Sequence, residues 1–313
     1  MTAHENGMSV SGEKRTRVKE THASERKTHA SERLRAPFQY FGGKGNMLTK
    51  LLQLLPSHQV YVEPFCGAAS LFFAKPPSPV EVLNDLNEDV VNVFRVLQNK
   101  ETHEELRFRL MYTPYARSEF VRALEMRGQK DLTPVERAWA FMVRQNMGFG
   151  GRGGASAGDW GRVFLSDQGC AKTCNGWLMR LSMLDAWRWR LMMVQIDCRD
   201  ALEVIRYWDS PGTLFYVDPP YVNETRKTLN AYAHEMSAEQ HKELVELLLG
   251  IKGKAVVSGY EHPLYSPFAQ ARWKVHKFQT TCHAAGRVRG SGLQGDKSAS
   301  AKVPRTEVVW GKE

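Results

Sequence analysis

Short apolar runs rich in β-branched and aromatic residues recur along the chain, and each has the length of a buried strand. Segments with apolar residues at helical spacing lie between several of these runs. Alternation of this kind is typical of α/β proteins with a mostly parallel sheet. The pattern predicts strands from residue 60 and over 80–83, 192–196, 213–217, 254–258 and 306–310, and helices over 48–55, 101–111, 118–127, 134–145, 177–189, 202–208 and 237–249.

The run over 213–217 ends at the sequence Asp218-Pro219-Pro220-Tyr221. Two consecutive prolines cannot continue a strand ladder, so we expect the strand to stop at Asp218. Its carboxylate would then lie at the carboxyl end of a central strand, where open α/β sheets bind their ligands. Tyr221 follows closely, either as a ring that faces the ligand or as a tyrosine at the rim of the core with a satisfied hydroxyl.

Three upstream features add to this prediction. A Gly42-Gly43-Lys44 turn permits a close backbone approach, although many surface turns have this composition. A strand, a turn containing Gly67 and a helix follow, and small residues there let backbone amides face a ligand. Asp85, after the next strand, is placed to bind ribose hydroxyls or to cap the helix that starts near Glu88.

Composition changes in three regions. Residues 1–36 are polar and contain a repeated Thr-His-Ala-Ser-Glu-Arg, so we expect them to be disordered. Glycines, arginines and aromatic residues alternate over 148–162, which favours a loop that orders on nucleic acid over a simple connector. Basic residues dominate 272–305, which predicts a flexible basic loop before the last strand.

The net charge of +9 over 313 residues suggests a polyanionic partner. No apolar run is long enough to span a membrane, and the polar N-terminus lacks a signal-peptide core. Five scattered cysteines make a disulfide framework improbable, and no His or Cys pair completes a zinc pattern. These features predict a cytoplasmic protein with free thiols and no bound metal.

Taken in order, the motifs resemble those of the D12 class, or Dam-like group, of DNA adenine-N6 methyltransferases in the α arrangement. The resemblance covers about 37–99 and 192–313. The residues that carry it are Tyr-Phe-Gly-Gly-Lys at 40–44, Glu-Pro-Phe-Cys-Gly at 63–67, Asn-Asp-Leu-Asn at 84–87, Asp-Pro-Pro-Tyr at 218–221 and Arg-Thr-Glu-Val-Val-Trp at 305–310.

The resemblance implies a Rossmann-like methyltransferase sheet with helices on both faces and a mainly helical inserted target-recognition domain. The boundaries that follow are a tail over 1–36, a first part over 37–99, an insert over 100–190 and a second part over 191–313. S-adenosylmethionine would bind without a metal at Tyr40, Lys44, Glu63, Pro64, Phe65, Gly67, Asp85 and Asp218.

By the same resemblance, Asp218, Pro219, Pro220 and Tyr221 form the catalytic motif. The Asp218 carboxylate and the Pro219 carbonyl would hydrogen-bond the amino group of a flipped-out adenine, and Tyr221 would stack on the base. Double-stranded DNA is the expected partner, contacted by Arg152, Arg162, Arg287 and Arg289.

The resemblance implies a DNA-associated cytoplasmic enzyme that is encoded by bacteria or phages and is a monomer or weak dimer. If a restriction endonuclease accompanies it, that endonuclease is expected to be a separate chain. Asp-Pro-Pro-Tyr also occurs with RNA adenine, cytosine-N4 and protein amide substrates, so these alternatives stay open. A non-catalytic nucleic-acid-binding module would leave Asp85 and Asp218 unexplained. The residues after 147–152 depart from the pattern of GATC-reading relatives, which leaves another short site or relaxed specificity open.

Overall fold

The computed structural model describes residues 34–40, 42–45, 47–149, 159–163, 166–167, 169–222, 235–282 and 303–312. Its helices are Leu48–Leu54 (α1), Ser70–Ala74 (α2), Glu88–Gln98 (α3), Lys100–Met111 (α4), Arg117–Glu125 (α5), Pro134–Met147 (α6), Lys172–Leu181 (α7), Leu184–Leu191 (α8), Ala201–Trp208 (α9), Ala238–Gly250 (α10) and Ser266–Gln270 (α11). Its strands are Val60–Glu63 (β1), Val80–Asn84 (β2), Ser166–Asp167 (β3), Cys170–Ala171 (β4), Gln195–Asp197 (β5), Thr213–Val217 (β6), Lys254–Tyr260 (β7), Lys274–Cys282 (β8) and Val303–Lys312 (β9).

A seven-stranded sheet organises the described residues in the order β5-β2-β1-β6-β7-β9-β8. The five strands from β5 to β7 run parallel, and β9 lies antiparallel between β7 and β8. Parallel strands are typically covered on both faces, and β6 is buried at every position. The prediction of an α/β protein with a mostly parallel sheet is confirmed.

Side chains of β6 alternate between two hydrophobic clusters. Leu214 and Tyr216 pack with residues of α1, α2 and α3, whereas Phe215 and Val217 pack with residues of α9, α10 and α11. Because successive strand residues point to opposite faces, helices cover both sides of the sheet. These apolar layers hold the strand ends, and the polar side chains that follow them, in fixed positions.

Helices α4 to α8 come between β2 and β5 in the sequence. Their buried side chains, among them Leu106, Phe120, Val143 and Trp187, belong to the same cluster as Phe94 of α3. The predicted helical character of this region is confirmed. Its assignment to target recognition stays a prediction, as do the domain boundaries.

The predicted flexible loop over 272–305 is wrong at both ends, because 303–305 already belong to β9. Lys274–Cys282 is a strand that pairs with β9 in antiparallel register from Lys274↔Gly311 to Cys282↔Val303. Lysines and exposed side chains suit an edge strand, because they discourage pairing with other chains. Residues 283–302, and the tail over 1–33, lie outside the described residues.

The predicted helix over 177–189 is two helices, α7 and α8, separated at Ser182 and Met183. The Ser182 hydroxyl donates to the Met179 carbonyl at 2.9 Å, which gives a carbonyl at the helix end a partner. The capping box at Ser237 and Gln240 is present as predicted. No helix in the described part of the chain has the length and apolarity that crossing a bilayer requires.

Candidate active site

A cleft lies where strands β1, β2 and β6 end. Since β1 pairs in parallel with both neighbours, their carboxyl ends meet at one edge of the sheet. The cleft is open to solvent on one side, and its lining residues come from the ends of several strands, as is usual for ligand sites in open α/β sheets. It is lined by all of the predicted cofactor residues, namely Tyr40, Lys44, Glu63, Pro64, Phe65, Gly67, Asp85 and Asp218, and by Pro220.

Gly67 forms the tight turn after β1. Its φ of +48° lies in the left-handed region, and a Cβ there would meet the Tyr40 ring at 2.8 Å. The Tyr40 hydroxyl in turn accepts a hydrogen bond from Asn87 Nδ2 at 3.2 Å. The aromatic wall of the cleft therefore depends on the missing side chain at position 67.

Asp85 connects the turn after β1 with the turn after β2 through hydrogen bonds. Its Oδ2 accepts from the Gly67 amide at 2.8 Å and its Oδ1 from the Asn87 amide at 2.9 Å. The expectation that Asp85 caps the next helix is wrong, because the side chain of Asn87 caps α3 by accepting from the Asp89 amide. Asp85 still faces the cleft, so a role in ligand binding stays a prediction.

Glu63 and Asp200 add carboxyl groups to the cleft wall. Burial raises the pKa of Glu63 to about 8, although the Tyr61 hydroxyl donates to it at 2.7 Å. Asp200 accepts from the amides of Leu202 and Glu203, so it caps α9. Backbone amides therefore hold the carboxylates of Asp85 and Asp200, and a tyrosine hydroxyl holds Glu63.

Lys44 and Asp218 form a close ion pair at the inner end of the cleft. Lys44 Nζ lies 2.6 Å and 2.8 Å from the two Asp218 oxygens, and the Ser258 hydroxyl donates to Asp218 Oδ1 at 3.1 Å. Burial lowers the pKa of Lys44, but the nearby carboxylates of Asp218 and Glu307 outweigh it and raise the pKa overall. Burial raises the pKa of Asp218, because it disfavours the charged carboxylate, and the positive charge of Lys44 opposes that shift.

Glu307 on β9 joins this cluster from the far end of the sequence. Its Oε1 lies 3.3 Å from Lys44 Nζ and accepts a hydrogen bond from the Tyr221 hydroxyl, which itself accepts from Lys44. The sequence alone assigned no role to Glu307. The sequence signal for such a role is a single carboxylate within the apolar run 306–310, because a buried charge needs a partner. In the structure Glu307 is 5% exposed.

Tyr221 is buried at 6% exposure, with its ring centroid 4.5 Å from that of Tyr260. Of the two alternatives for Tyr221, this structure shows the second: the tyrosine lies at the rim of the core and its hydroxyl donates to Glu307. Neither Tyr221 nor Pro219 lines the cleft. The structure thus brings Asp218 and Pro220 to the cleft and holds Tyr221 behind them.

Arg162 is the described member of the predicted DNA-contacting set, and it is exposed. It follows a bridge between Gly148 and Trp160, and the Tyr115 hydroxyl donates to the Gly161 carbonyl. Arg152, Arg287 and Arg289 lie outside the described residues. Within the described ranges no group of three or more His, Cys, Asp or Glu side chains could hold a metal.

Residues 40–156 match the family model of the D12 class N6 adenine-specific DNA methyltransferases. Over 218 residues the chain is 28% identical to the DNA N-6-adenine-methyltransferase of Escherichia phage P1. That alignment covers 68% of this chain and 28% of the phage protein, so the chain spans less than a third of that relative. The resemblance to the D12 class that the ordered motifs carry is thereby confirmed.

Proposed function

We propose that this chain, as a relative of the D12 class, transfers a methyl group from S-adenosylmethionine to the N6 amino group of a flipped-out adenine in DNA. One observation carries the proposal. The Asp218 carboxylate, at the end of β6, lines the same cleft as Asp85 and the glycine turn at Gly67. The proposed acceptor of the amino group and the proposed donor site therefore line one cavity.

The residues of the cleft fit S-adenosylmethionine, whose sulfonium group carries the methyl that is transferred. Lys44 and Arg199 are outnumbered at the wall by Asp85, Asp200, Asp218 and Glu235. An excess of carboxylates favours a cationic ligand. The exposed edge of Asp85 would bind the ribose, and the turn over 63–67 would border the methionine part.

Asp218 and Pro219 would supply the chemistry by positioning the base. The lone pair of adenine's amino nitrogen is delocalised into the ring, which makes it a poor nucleophile. Hydrogen bonds from its two protons to the Asp218 carboxylate and the Pro219 carbonyl would turn the lone pair towards the methyl group. Because this contribution is orientation and electrostatic preorganisation, it needs neither a strong base nor a covalent intermediate.

A base within a duplex cannot reach Asp218, so the target adenine must leave the stack. Tyr221 would then leave its buried position and stack on the base, a contact typically worth about 1–3 kcal/mol. The net charge of +9 would hold the DNA backbone, with Arg162 and the arginines at 152, 287 and 289 as proposed contacts.

The test is to express the chain in a host that lacks adenine methylation and to analyse the host DNA. Mass spectrometry of nucleosides should show N6-methyladenine, and sequencing that detects modified bases should give the recognition sequence. N4-methylcytosine would instead indicate the cytosine alternative, and methylation confined to RNA would indicate the RNA alternative. Unmodified DNA from cells that contain folded, donor-binding protein would contradict the proposal.

Gly67→Ala should weaken donor binding by about tenfold or more. The alanine must adopt a left-handed conformation, which costs about 1–2 kcal/mol. Its Cβ also displaces the Tyr40 ring from the cleft wall. Isothermal titration with S-adenosylmethionine and urea unfolding would measure the two effects separately.

Gly250→Ala is a matched control for this change. Nothing lies within 4 Å of a Cβ at Gly250, so its donor affinity should equal that of the wild type. Equal affinity of Gly67→Ala and the wild type would show that the Tyr40 wall does not contact the donor.

A further inference from the structure

The groups that the proposed reaction assigns to the base are engaged elsewhere in this structure. Lys44 donates to both oxygens of Asp218, one of which the amino group of adenine would need. The Tyr221 hydroxyl donates to Glu307, although its ring would have to reach the base. A productive complex therefore requires Tyr221 to leave Glu307, and it makes the amino group share the Asp218 oxygens with Lys44.

We propose that Glu307 is a positioning residue that draws the Lys44 ammonium towards itself when the target base binds, which weakens the Lys44 hydrogen bonds to Asp218 and makes its oxygens better acceptors for the amino group. As Tyr221 leaves to stack on the base, Lys44 replaces it at the Glu307 carboxylate. The inference rests on the proposed methyl transfer and assigns that reaction a residue outside the Asp-Pro-Pro-Tyr sequence.

The geometry already favours this exchange. Glu307 Oε1 is both the acceptor of the Tyr221 hydroxyl and the carboxylate oxygen 3.3 Å from Lys44 Nζ, so two donors compete for one atom. A shift of about 0.5 Å would bring Lys44 to an ordinary charge-assisted distance of about 2.8 Å. A buried carboxylate left without a donor would be costly, so departure of Tyr221 draws Lys44 towards Glu307.

The two ends of the pair differ in mobility. Glu307 is fixed in β9, between Tyr260 of β7 and Phe278 of β8. Lys44 lies outside the helices and strands, and its ammonium sits on a flexible four-carbon stem. The ammonium also donates to the Gly42 carbonyl at 3.1 Å, so only a small displacement of the lysine between the two carboxylates is needed.

Glu307→Gln tests the charge of this residue. The amide oxygen can still accept from the Tyr221 hydroxyl, but it cannot balance the Lys44 ammonium. We expect kcat to fall by about 10-fold to 100-fold, as for loss of a charge-assisted hydrogen bond, with the Kd values for S-adenosylmethionine and unmethylated plasmid DNA within about twofold of the wild type. Glu307→Asp keeps the charge and should retain several times more activity than Glu307→Gln.

The pH profile separates this role from a merely structural one. The negative charge of Glu307 raises the pKa of Asp218, so its removal should move the acidic limb of kcat to lower pH. In the variant Lys44 also stays paired with Asp218 and lowers its pKa, which again moves the acidic limb of kcat to lower pH. The other titratable groups near Asp218 are unchanged in the variant, namely Lys44, Glu63, Tyr216, Tyr221 and Tyr265.

Thr306→Val is the control on the same strand, because Thr306 pairs with Gln279 on the side of β9 that is open to solvent. Its kcat and pH profile should match those of the wild type. A Glu307→Gln protein with wild-type kcat would overturn the inference, as would a fall in kcat with an unmoved acidic limb. The wild type is measured in the same assay. If it methylates DNA, the proposed function holds even when the inference about Glu307 is wrong. If it binds the donor but does not methylate DNA, the proposed function and the inference are both wrong.

Discussion

Asp218→Ala is expected to lower the methylation rate by about 100-fold to 1,000-fold, the loss typical of removing one preorganised group at a reacting centre. The alanine provides no acceptor for the amino group of adenine. It also removes from the cleft a negative charge that would favour the cationic donor, while Lys44 keeps Glu307 as a carboxylate partner. The chemical step should suffer far more than DNA binding, because phosphate contacts supply most of the affinity.

The measurement is single-turnover transfer of labelled methyl groups to DNA, with DNA affinity followed by fluorescence anisotropy. Asp131→Ala, which removes an exposed carboxylate from a loop, is the matched control and should behave as the wild type. Loss of DNA affinity in parallel with activity would point to misfolding, which circular dichroism would reveal. A fully active Asp218→Ala protein would exclude the proposed mechanism.

Much of the sheet and of the cleft could be predicted from local sequence. A strand that ends at two prolines and a strand that ends in a glycine turn are encoded within a few residues, so β6 and β1 were predicted where they occur. Parallel strands bring their carboxyl ends to one edge. Strand ends alone therefore predict that Asp85 and Asp218 share one site, whereas Glu63 is placed there by the resemblance to the D12 class.

The ion-pair cluster depends on contacts that no local pattern encodes. Lys44 and Asp218 are 174 residues apart, and Tyr221 and Glu307 are 86 apart. Their meeting requires β9 to insert between β7 and β8, which follows from the pairing of the whole sheet. For the same reason the local sequence of the edge strand β8, which is rich in lysine and exposed side chains, predicts a loop.

Asp85 shows a subtler failure. An acid just before a helix predicts a cap, but Asn87 stands two residues closer to α3 and takes that role. The Asp85 carboxylate instead bonds the Gly67 amide, in a turn that belongs to another strand. Sequence spacing therefore predicts correctly that Asp85 lies at the cleft, but it predicts the wrong hydrogen-bond partner for the carboxylate.

Lys44→Met is expected to destabilise the fold by about 3 kcal/mol near neutral pH, the lower range for removing one partner of a buried ion pair. The methionine fills similar volume, but it leaves the carboxylates of Asp218 and Glu307 facing each other without a cation. Asp218 keeps 19% of its side-chain surface exposed, so solvent relieves part of the cost. Lys130→Met, at an exposed site between α5 and α6, should change stability by less than about 0.5 kcal/mol.

The loss in Lys44→Met should also depend on pH, and its sign follows from linkage. Lys44 lowers the pKa of Asp218, so without Lys44 the folded-state pKa of this group rises further above its unfolded value. The penalty of the unpaired charge is then fully present above the folded-state pKa and disappears as Asp218 takes up a proton at lower pH. Urea unfolding should therefore give a larger difference between variant and wild type at about pH 7 than at about pH 4.5. A difference that stays constant over this range would show that lost packing, and not the unpaired carboxylates, accounts for the instability.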